Sequence, residues 1–257
     1  MKTKSLGFIG GGRITKIILQ AFKNRSVKFS RIVVFDSNME TSEKLQTKFP
    51  DIELSDLGKA ASQELVIIAL HPPVIMETLD KIQSIVTEKT SILSLAPRIT
   101  LEKLSGKLNQ VNKLTRLIPN AASVMSKGYN PVCFSAGMAA NEKAEILEIL
   151  QNLGETFEVP ESKLEAYAIV SAMAPTYFWF QWKKLAEIGE EIGLGKEESQ
   201  KAVYQTLSAA LDTMFQSGLS DDEVFDLIPV KPIGEYEDEI KNLFDAKLKG
   251  LYAKLSS

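Results

Sequence analysis

A run of three glycines near the start of the chain carries the strongest chemical signal in the sequence. Gly10-x-Gly12-x-x-Thr15 follows a strand-like apolar stretch and precedes a helical pattern. At such a turn the first glycine permits a tight bend and the second lets the main chain approach a diphosphate, which the amides of the helix start receive. Thr15 stands where a third small residue usually lies, and we expect it to loosen the packing of the helix on the strand. The pattern predicts a nicotinamide dinucleotide site; the alternative is an ordinary glycine turn.

The charges around this turn are unusual for the start of a helix. Arg13 and Lys16 fall in the first helical turn, and no carboxylate accompanies them. Acidic residues are favoured at the positive end of a helix dipole, so the inversion indicates an anion bound nearby. The alternative is that both residues are ordinary solvated cations.

Asp36 is the expected partner of the adenosine ribose. It ends the second strand-like run, 24 residues after Gly12, where a carboxylate can accept hydrogen bonds from the ribose hydroxyls. Because a carboxylate repels a 2′-phosphate, Asp36 favours NADH over NADPH. The alternative is that Asp36 caps the helix that begins near Met39, although Ser37 and Asn38 are better placed for that role.

Composition excludes several other kinds of chemistry. A single cysteine, Cys133, rules out an internal disulfide, and with one histidine, His71, we expect no metal site. A net charge of −3 without a basic stripe argues against nucleic acid as a partner. The longest apolar run, 166–180, contains Pro175 and is shorter than the roughly 20 residues of a membrane span. With no signal peptide recognisable, we expect a cytoplasmic protein that does not bind membranes.

The elements expected around these residues alternate between short apolar strands and amphipathic helices. Strand-like runs cover 6–10, 31–36, 65–70, 91–95 and 113–118, with helical patterns over 14–22, 39–49 and 74–86 between them. This alternation predicts an α/β fold with a doubly wound, Rossmann-type parallel sheet covered by helices on both faces. A further strand over 131–136 and a helix over 141–152, capped by Asn141, follow.

After Pro160 the pattern becomes wholly helical. Helices are expected over 162–192, 196–216, 220–227 and 235–255, with Ser220 and Glu223 in capping-box spacing. We therefore predict two domains, a dinucleotide-binding domain over 1–160 and an all-α substrate and dimerisation domain over 161–257. The apolar run 166–180 indicates a helix buried at an interface between subunits, which predicts a homodimer or a larger assembly.

Several segments resemble, in order, those of the pyrroline-5-carboxylate reductase family. Gly7-Phe8-Ile9-Gly10-Gly11-Gly12 resembles the opening of that family. The next segments are Ala69-Leu70-His71-Pro72, Arg116-Leu117-Ile118-Pro119-Asn120 and Ser171-Ala172-Met173-Ala174-Pro175-Thr176-Tyr177. Ile192-Gly193-Leu194 and the helical positions after it extend the resemblance, which runs from residue 5 to residue 220.

The resemblance implies an NAD(P)H-dependent reductase of a C=N bond, acting on pyrroline-5-carboxylate or a related cyclic imine in proline biosynthesis. The cofactor would lie across the carboxyl ends of the strands, with its reduced ring facing the helical domain of a second subunit. The residues implied for cofactor binding are Gly10, Gly11, Gly12, Arg13, Ile14, Asp36, Ser37, Ala69, Leu70, His71, Pro72, Ala96 and Asn120. Those implied for catalysis are His71, Ser171 and Tyr177, and those implied for the substrate are Ser171, Pro175, Thr176 and Lys231.

Three of these roles have a structural alternative. Asn120 is expected to hold the nicotinamide or its ribose, or else to satisfy the main chain of a turn. Pro175 is expected to break the helix and free amides for a substrate carboxylate, with a kinked interface helix as the alternative. His71 replaces the family's lysine, and either exchanges a proton with the substrate or acts only through its main-chain position.

The chain departs from the family on the substrate side. Ala172 and Ala174 replace glycines, and residues 231–236 align with the family's substrate segment but lack its two threonines. Two other functions therefore stay open. A β-hydroxyacid dehydrogenase would place an asparagine near a lysine such as Lys183 or Lys184, and that asparagine is missing. A dimer that binds the cofactor without catalysis is favoured by the loss of the threonines.

Overall fold

The computed structural model describes residues 3–256, whose strands form one eight-stranded sheet. The strands are β1 (Ser5–Ile9), β2 (Arg31–Phe35), β3 (Ile52–Leu54), β4 (Leu65–Ile68), β5 (Ser91–Ser94), β6 (Lys113–Leu117), β7 (Gly128–Phe134) and β8 (Gly154–Glu158). Their order across the sheet is β3-β2-β1-β4-β5-β6-β7-β8. Neighbouring strands are parallel, except that β7 runs antiparallel to β6. The order reverses between β1 and β4, and at such a point a doubly wound sheet opens a crevice at its carboxyl edge.

Helices connect the strands and continue beyond them. Those among the strands, and just after, are α1 (Arg13–Asn24), α2 (Met39–Lys48), α3 (Leu57–Ala61), α4 (Pro72–Ile82), α5 (Leu101–Lys107), α6 (Ala140–Leu150) and α7 (Leu164–Tyr167). The later ones are α8 (Pro175–Glu191), α9 (Lys196–Gln216), α10 (Asp221–Asp226), α11 (Glu237–Phe244) and α12 (Gly250–Leu255). A 3₁₀ turn at Ala121–Met125 lies between β6 and β7, and a π-helical turn at Ala168–Ala172 lies between α7 and α8.

The core consists of two hydrophobic clusters, one on each face of the sheet. Alternate residues of β4 enter opposite clusters, with Leu65 and Ile67 in one and Val66 and Ile68 in the other. Successive side chains of a strand point to opposite faces, so a strand covered on both sides must be apolar throughout. This is why β4 has no polar residue, and the predicted doubly wound α/β sheet is confirmed.

Contacts between Cα atoms divide the chain into two compact units. The first runs to Ala172 and includes the residues from Tyr252 onward, while the second is Met173–Leu251. Residues 161–172 belong with the sheet, because Glu161 and Glu165 form ion pairs with Arg116 of β6. The domain limits expected from the sequence, 1–160 and 161–257, stay a prediction.

The regular elements described in the second unit are all helical, and this unit exposes many large apolar side chains. They include Trp179, Phe180, Ile192, Tyr204, Leu211, Phe215, Ile228 and Ile233. Trp179 and Phe180 lie in the run 166–180, for which the sequence predicts burial between subunits. None of the helices described here is both long and apolar enough to cross a membrane.

Several expected elements need correction. The single helix expected over 162–192 is interrupted by the π-helical turn and begins again at Pro175. Asn141 does not cap α6, because the helix starts one residue earlier and the Ala139 amide bonds to the Glu142 carboxylate. The strand expected over 131–136 is β7, at Gly128–Phe134. The sequence pattern does not predict β3 or β8, whereas the Ser220 cap of α10 is confirmed.

Candidate cofactor and active site

The glycine turn between β1 and α1 has the close main-chain packing that its sequence predicts. Gly10 has a φ of +106°, and its amide donates to the Phe35 carbonyl at 2.7 Å. A Cβ on Gly10 would lie 2.5 Å from the carbonyl oxygen of Ala69, at the end of β4. Both the φ value and this contact require glycine, since a side chain there would be strained and would overlap the neighbouring strand.

Gly12 is the N-cap of α1 and faces open space. A Cβ placed on it would meet no atom of residues 3–256 within 4 Å. The first amides of a helix have no partner within the helix and lie at the positive end of its dipole. Arg13 and Lys16 are exposed at this helix start, Ile14 is half-buried, and the first turn has no acidic residue. A diphosphate therefore fits this position in shape and in charge.

Thr15 fixes the turn instead of loosening it, so the expectation from the sequence is wrong. Its side chain is fully buried, and its hydroxyl donates to the Gly10 carbonyl at 2.5 Å. A third glycine could not make this bond. The threonine in the first turn of α1 therefore holds the main chain at Gly10 in place.

Asp36 lies just after β2 and holds the glycine turn by a second hydrogen bond. Its Oδ2 accepts from the Gly11 amide at 2.7 Å, and its Oδ1 accepts from the Asn38 amide at 2.8 Å. Asn38 is the cap of α2, accepting from the Thr41 amide at 3.1 Å, so Asp36 does not cap that helix. Ser37 is exposed beside it. The half-buried carboxylate keeps further acceptor positions, which suit the hydroxyls of a ribose.

The ends of β4 and β5 contribute the next residues. The Ala69 amide donates to the Ile9 carbonyl at 2.8 Å, which places Ala69 and Leu70 beside the glycine turn. His71 is the N-cap of α4, with an exposed side chain, and Pro72 is the first residue of that helix. Ala96 is buried after β5. These residues therefore lie at the carboxyl edge of neighbouring strands, on the far side of β1 from Asp36.

Asn120 has the structural role that the sequence left as its alternative. Its Oδ1 accepts from the Ala122 amide at 2.9 Å and caps the 3₁₀ turn, and its Nδ2 donates to the Ser171 hydroxyl at 3.2 Å. The main-chain amide of Asn120 donates to Oδ1 of the buried Asn130 at 3.1 Å. The Ser171 hydroxyl donates in turn to the Tyr129 carbonyl at 3.3 Å. The structure thus brings together two residues of the predicted site; the cofactor role of Asn120 stays a prediction.

Arg116 forms a buried ionic cluster that the sequence analysis does not find. It is 1% exposed, and its guanidinium donates to Glu161 and to Glu165, each at 2.7 Å. Burial lowers the pKa of Arg116, but the hydrogen bonds and charges of the two carboxylates outweigh that effect and raise its pKa above the ordinary value. The sequence signal for such a cluster is a charged residue between two leucines near the end of a strand, because a buried charge needs partners.

The predicted substrate residues of the second unit are described within that unit. Pro175 begins α8, but the amides of Thr176 and Tyr177 donate to the carbonyls of Met173 and Ala174, at 2.9 and 3.0 Å. These two amides are therefore not free, and the expectation that Pro175 frees amides for a substrate carboxylate stays a prediction. Burial raises the pKa of the Tyr177 phenol above its usual value.

Lys231 is exposed in the segment between α10 and α11. Its ammonium lies 5.8 Å from the centroid of the Phe225 ring, a cation–π contact. This segment is the one that aligns with the family's lost threonines. Its substrate role stays a prediction.

Comparison with known proteins finds similarity to an oxidoreductase family model and to several pyrroline-5-carboxylate reductases. The family model described as "NADP oxidoreductase coenzyme F420-dependent" matches residues 5–97. Pyrroline-5-carboxylate reductase of Corynebacterium melassecola is 21% identical over 252 residues, which are 96% of this chain and 93% of the relative. Pyrroline-5-carboxylate reductase 3 of Xenopus laevis is 27% identical and covers 82% of this chain and 78% of its own length.

Solved structures agree at the level of the fold. The crystal structure of Plasmodium falciparum pyrroline carboxylate reductase with NADP bound has a TM-score of 0.81 at 20% identity, covering 100% of this chain and 97% of the other. The Coxiella burnetii pyrroline-5-carboxylate reductase has a TM-score of 0.72 at 23% identity, covering 100% and 95%. Prephenate dehydrogenase from Aquifex aeolicus is more distant, with a TM-score of 0.53 at 13% identity, covering 98% of both chains.

Proposed function

Because this chain belongs to the pyrroline-5-carboxylate reductase family, we propose that it is an NAD(P)H-dependent oxidoreductase that reduces a C=N bond. The substrate is pyrroline-5-carboxylate or a related cyclic imine. One observation carries the proposal: a Cβ on Gly12, the N-cap of α1, would meet open space, and this helix start lies where the strand order reverses. That position suits the diphosphate of a dinucleotide.

In this proposal the chain's own residues bind and orient, and the bound cofactor supplies the hydride. The amides at the start of α1 hold the diphosphate, with Arg13 and Ile14 at the same helix start. Asp36 and Ser37 hold the adenosine ribose. Ala69, Leu70, His71, Pro72, Ala96 and Asn120 border the nicotinamide half.

On the substrate side we propose that Ser171 and Tyr177 bind and polarise the imine. The Tyr177 phenol can donate a hydrogen bond, and burial raises its pKa, which further favours the protonated form. The Ser171 hydroxyl donates to Tyr129 and accepts from Asn120, which leaves it one further acceptor position. Pro175, Thr176 and Lys231 are proposed as further substrate contacts.

We propose that Asp36 makes NADH the preferred cofactor. The bonds from the Gly11 and Asn38 amides fix its carboxylate, and a 2′-phosphate there would meet a negative charge. Asp36→Ser should weaken NADH binding more than NADPH binding, as measured by fluorescence titration with both. Asp51→Ser, which removes an exposed carboxylate elsewhere, is the matched control. Equal losses for the two cofactors would remove Asp36 from this role.

The lost threonines support a second candidate, a cofactor-binding protein without turnover. In their segment Lys231 lies over the Phe225 ring and is exposed. An assay of NADH oxidation decides between the candidates. It uses pyrroline-5-carboxylate, simple cyclic imines and the keto acids that correspond to β-hydroxyacids. Turnover of an imine supports the reductase, and turnover of the keto compounds alone supports a β-hydroxyacid dehydrogenase. Cofactor binding without turnover of either class supports the second candidate.

We also propose a homodimer or a larger assembly in the cytoplasm. The exposed apolar side chains of the second unit, Phe180 and Phe215 among them, are 66% and 76% exposed in the single chain. Many large apolar side chains exposed in one unit favour an interface between subunits. Light scattering at micromolar concentration should give at least twice the chain mass of 28.4 kDa, and a monomer would refute the assembly. Cell fractionation tests the location.

A further inference from the structure

The ion pairs of Arg116 connect three parts of the first unit. Arg116 comes from β6, Glu161 from the turn before α7, and Glu165 from α7 itself. Arg116 and Glu165 are buried, and the Glu161 side chain is 30% exposed. Removing three charged groups from water is costly, so an arrangement of this kind needs good geometry and additional hydrogen bonds.

Those additional hydrogen bonds go to the loop that follows β5. Arg116 Nη2 lies 3.5 Å from the Ala96 carbonyl, Glu165 accepts from the Arg98 amide at 3.4 Å, and Glu161 accepts from the Leu101 amide at 2.7 Å. Arg98 has a φ of +70°, which a residue with a side chain adopts only at a cost. The cluster therefore holds in place a loop whose main chain is strained.

This loop lies at the carboxyl edge of the sheet, on the far side of the reversal point from Asp36. The strand order puts β2 and Asp36 on one side of β1, and β4 and β5 on the other. A dinucleotide spans two such halves, so a ligand with its adenosine at Asp36 has its second nucleoside near the ends of β4 and β5. Ala96 is the residue there that bonds directly to Arg116.

We propose that Glu165 is a positioning residue for the nicotinamide half of the cofactor, acting through Arg116 and the main chain of Ala96 and Arg98. The inference rests on the proposed function. Glu165 also precedes Ser171 in the same helical run, and Asn120 holds Ser171 on the other side. One carboxylate thus supports both the loop after β5 and the segment that carries Ser171.

The test compares two ligands that differ only in the part the loop would contact. ADP-ribose shares the adenosine, diphosphate and second ribose of NADH but lacks the nicotinamide. Titration of the full-length protein gives both dissociation constants for the natural chain and for Glu165→Ala, Glu165→Gln and Glu158→Ala. Glu158, which pairs with Lys143 on the surface at 2.6 Å, is the matched control.

We expect Glu165→Ala to weaken NADH binding about tenfold, the equivalent of one charge-assisted hydrogen bond, while ADP-ribose binding changes less than about twofold. Glu165→Gln should recover part of the loss, because its amide oxygen still accepts hydrogen bonds. The control should leave both constants unchanged. If circular dichroism shows that Glu165→Ala does not fold, Glu165→Gln serves as the test. Its ratio of the NADH to the ADP-ribose dissociation constant should then exceed that of the natural chain.

Three results would overturn the inference. Equal weakening of both ligands would indicate general destabilisation, and no change in either would show that the loop needs no support from Glu165. If the natural chain binds neither NADH, NADPH nor ADP-ribose, the proposed function fails and the inference fails with it. The first two results leave the proposed function intact, so the two failures are distinguishable.

Discussion

Replacing Gly12 by alanine separates cofactor binding from folding at a single position. Gly12 has a φ of −76° and a ψ of −158°, which alanine adopts without strain. A Cβ there meets no atom of the described chain, residues 3–256, within 4 Å. In the proposed complex, the added methyl group would instead occupy space that the diphosphate needs. The variant should therefore fold normally and lose the dinucleotide.

The two effects differ enough in size to be distinguished. Alanine is a poorer N-cap than glycine, which lowers the free energy of unfolding by about 1 kcal/mol or less. Alanine also restricts the unfolded chain, which raises the free energy of unfolding by about 0.4–1 kcal/mol. The free energy of unfolding should thus change by less than about 1 kcal/mol. Loss of two amide bonds to the diphosphate costs about 3–6 kcal/mol, which weakens the dissociation constant at least about 100-fold.

Urea denaturation measures the first quantity, and fluorescence titration with NADH measures the second. Gly106→Ala is the matched control, because Gly106 is exposed within α5 and its Cβ would also meet no described atom within 4 Å. That control should bind NADH normally and gain about 0.5–1 kcal/mol of stability from the better helix former. If Gly12→Ala binds NADH as tightly as the natural chain, the diphosphate does not lie at this turn.

Three further changes test other parts of the structure. Gly10→Ala should lower the free energy of unfolding by about 2–5 kcal/mol, since its φ of +106° and the Ala69 carbonyl both oppose a side chain; a loss below about 1 kcal/mol in urea denaturation contradicts this. Thr15→Val should cost about 1–3 kcal/mol through its lost bond to Gly10, and an unchanged urea midpoint would refute that role. Burial raises the pKa of the Cys133 thiol to about 12, so a thiol reagent at pH 8 should react only after unfolding. Because the unfolded thiol ionises near its ordinary pKa of 9.0 and the folded one near 12, stability should fall as pH rises between them, and Cys133→Ala should reduce that fall.

Strands and helices could be predicted where the local residue pattern by itself favours the element that forms. The four apolar residues of β4 and the helical periodicity of α9, predicted at 196–216 and observed at Lys196–Gln216, are strong local patterns. β3 has only three residues, and β8 places Phe157 among polar neighbours, so both depend on pairing with strands that local patterns do not reveal. In the helix expected over 162–192, the new start at Pro175 agrees with the expected break, whereas no local pattern predicts the π-helical turn before it.

The candidate site was predictable where its chemistry lies in one short segment. Gly10, Gly12 and Asp36 follow from spacing along adjacent elements. The contact between Asn120 and Ser171 joins residues 51 positions apart, and that between Arg116 and Glu165 joins residues 49 apart. Such pairings depend on how separate elements pack, and local patterns in the sequence do not reveal that packing. Thr15 differs for another reason: the size of its side chain predicts looser packing, whereas its hydroxyl bonds to the Gly10 carbonyl.

Asp36 has one more consequence for recognition. Two main-chain amides already orient its carboxylate in the free protein, so its rotamer is chosen during folding and not at the moment a ligand arrives. Pre-organisation of this kind spares a ligand the entropy of ordering the side chain. A glutamate at the same place would keep the charge but add a rotatable bond. Ordering this longer side chain on binding would lower the affinity for the ligand.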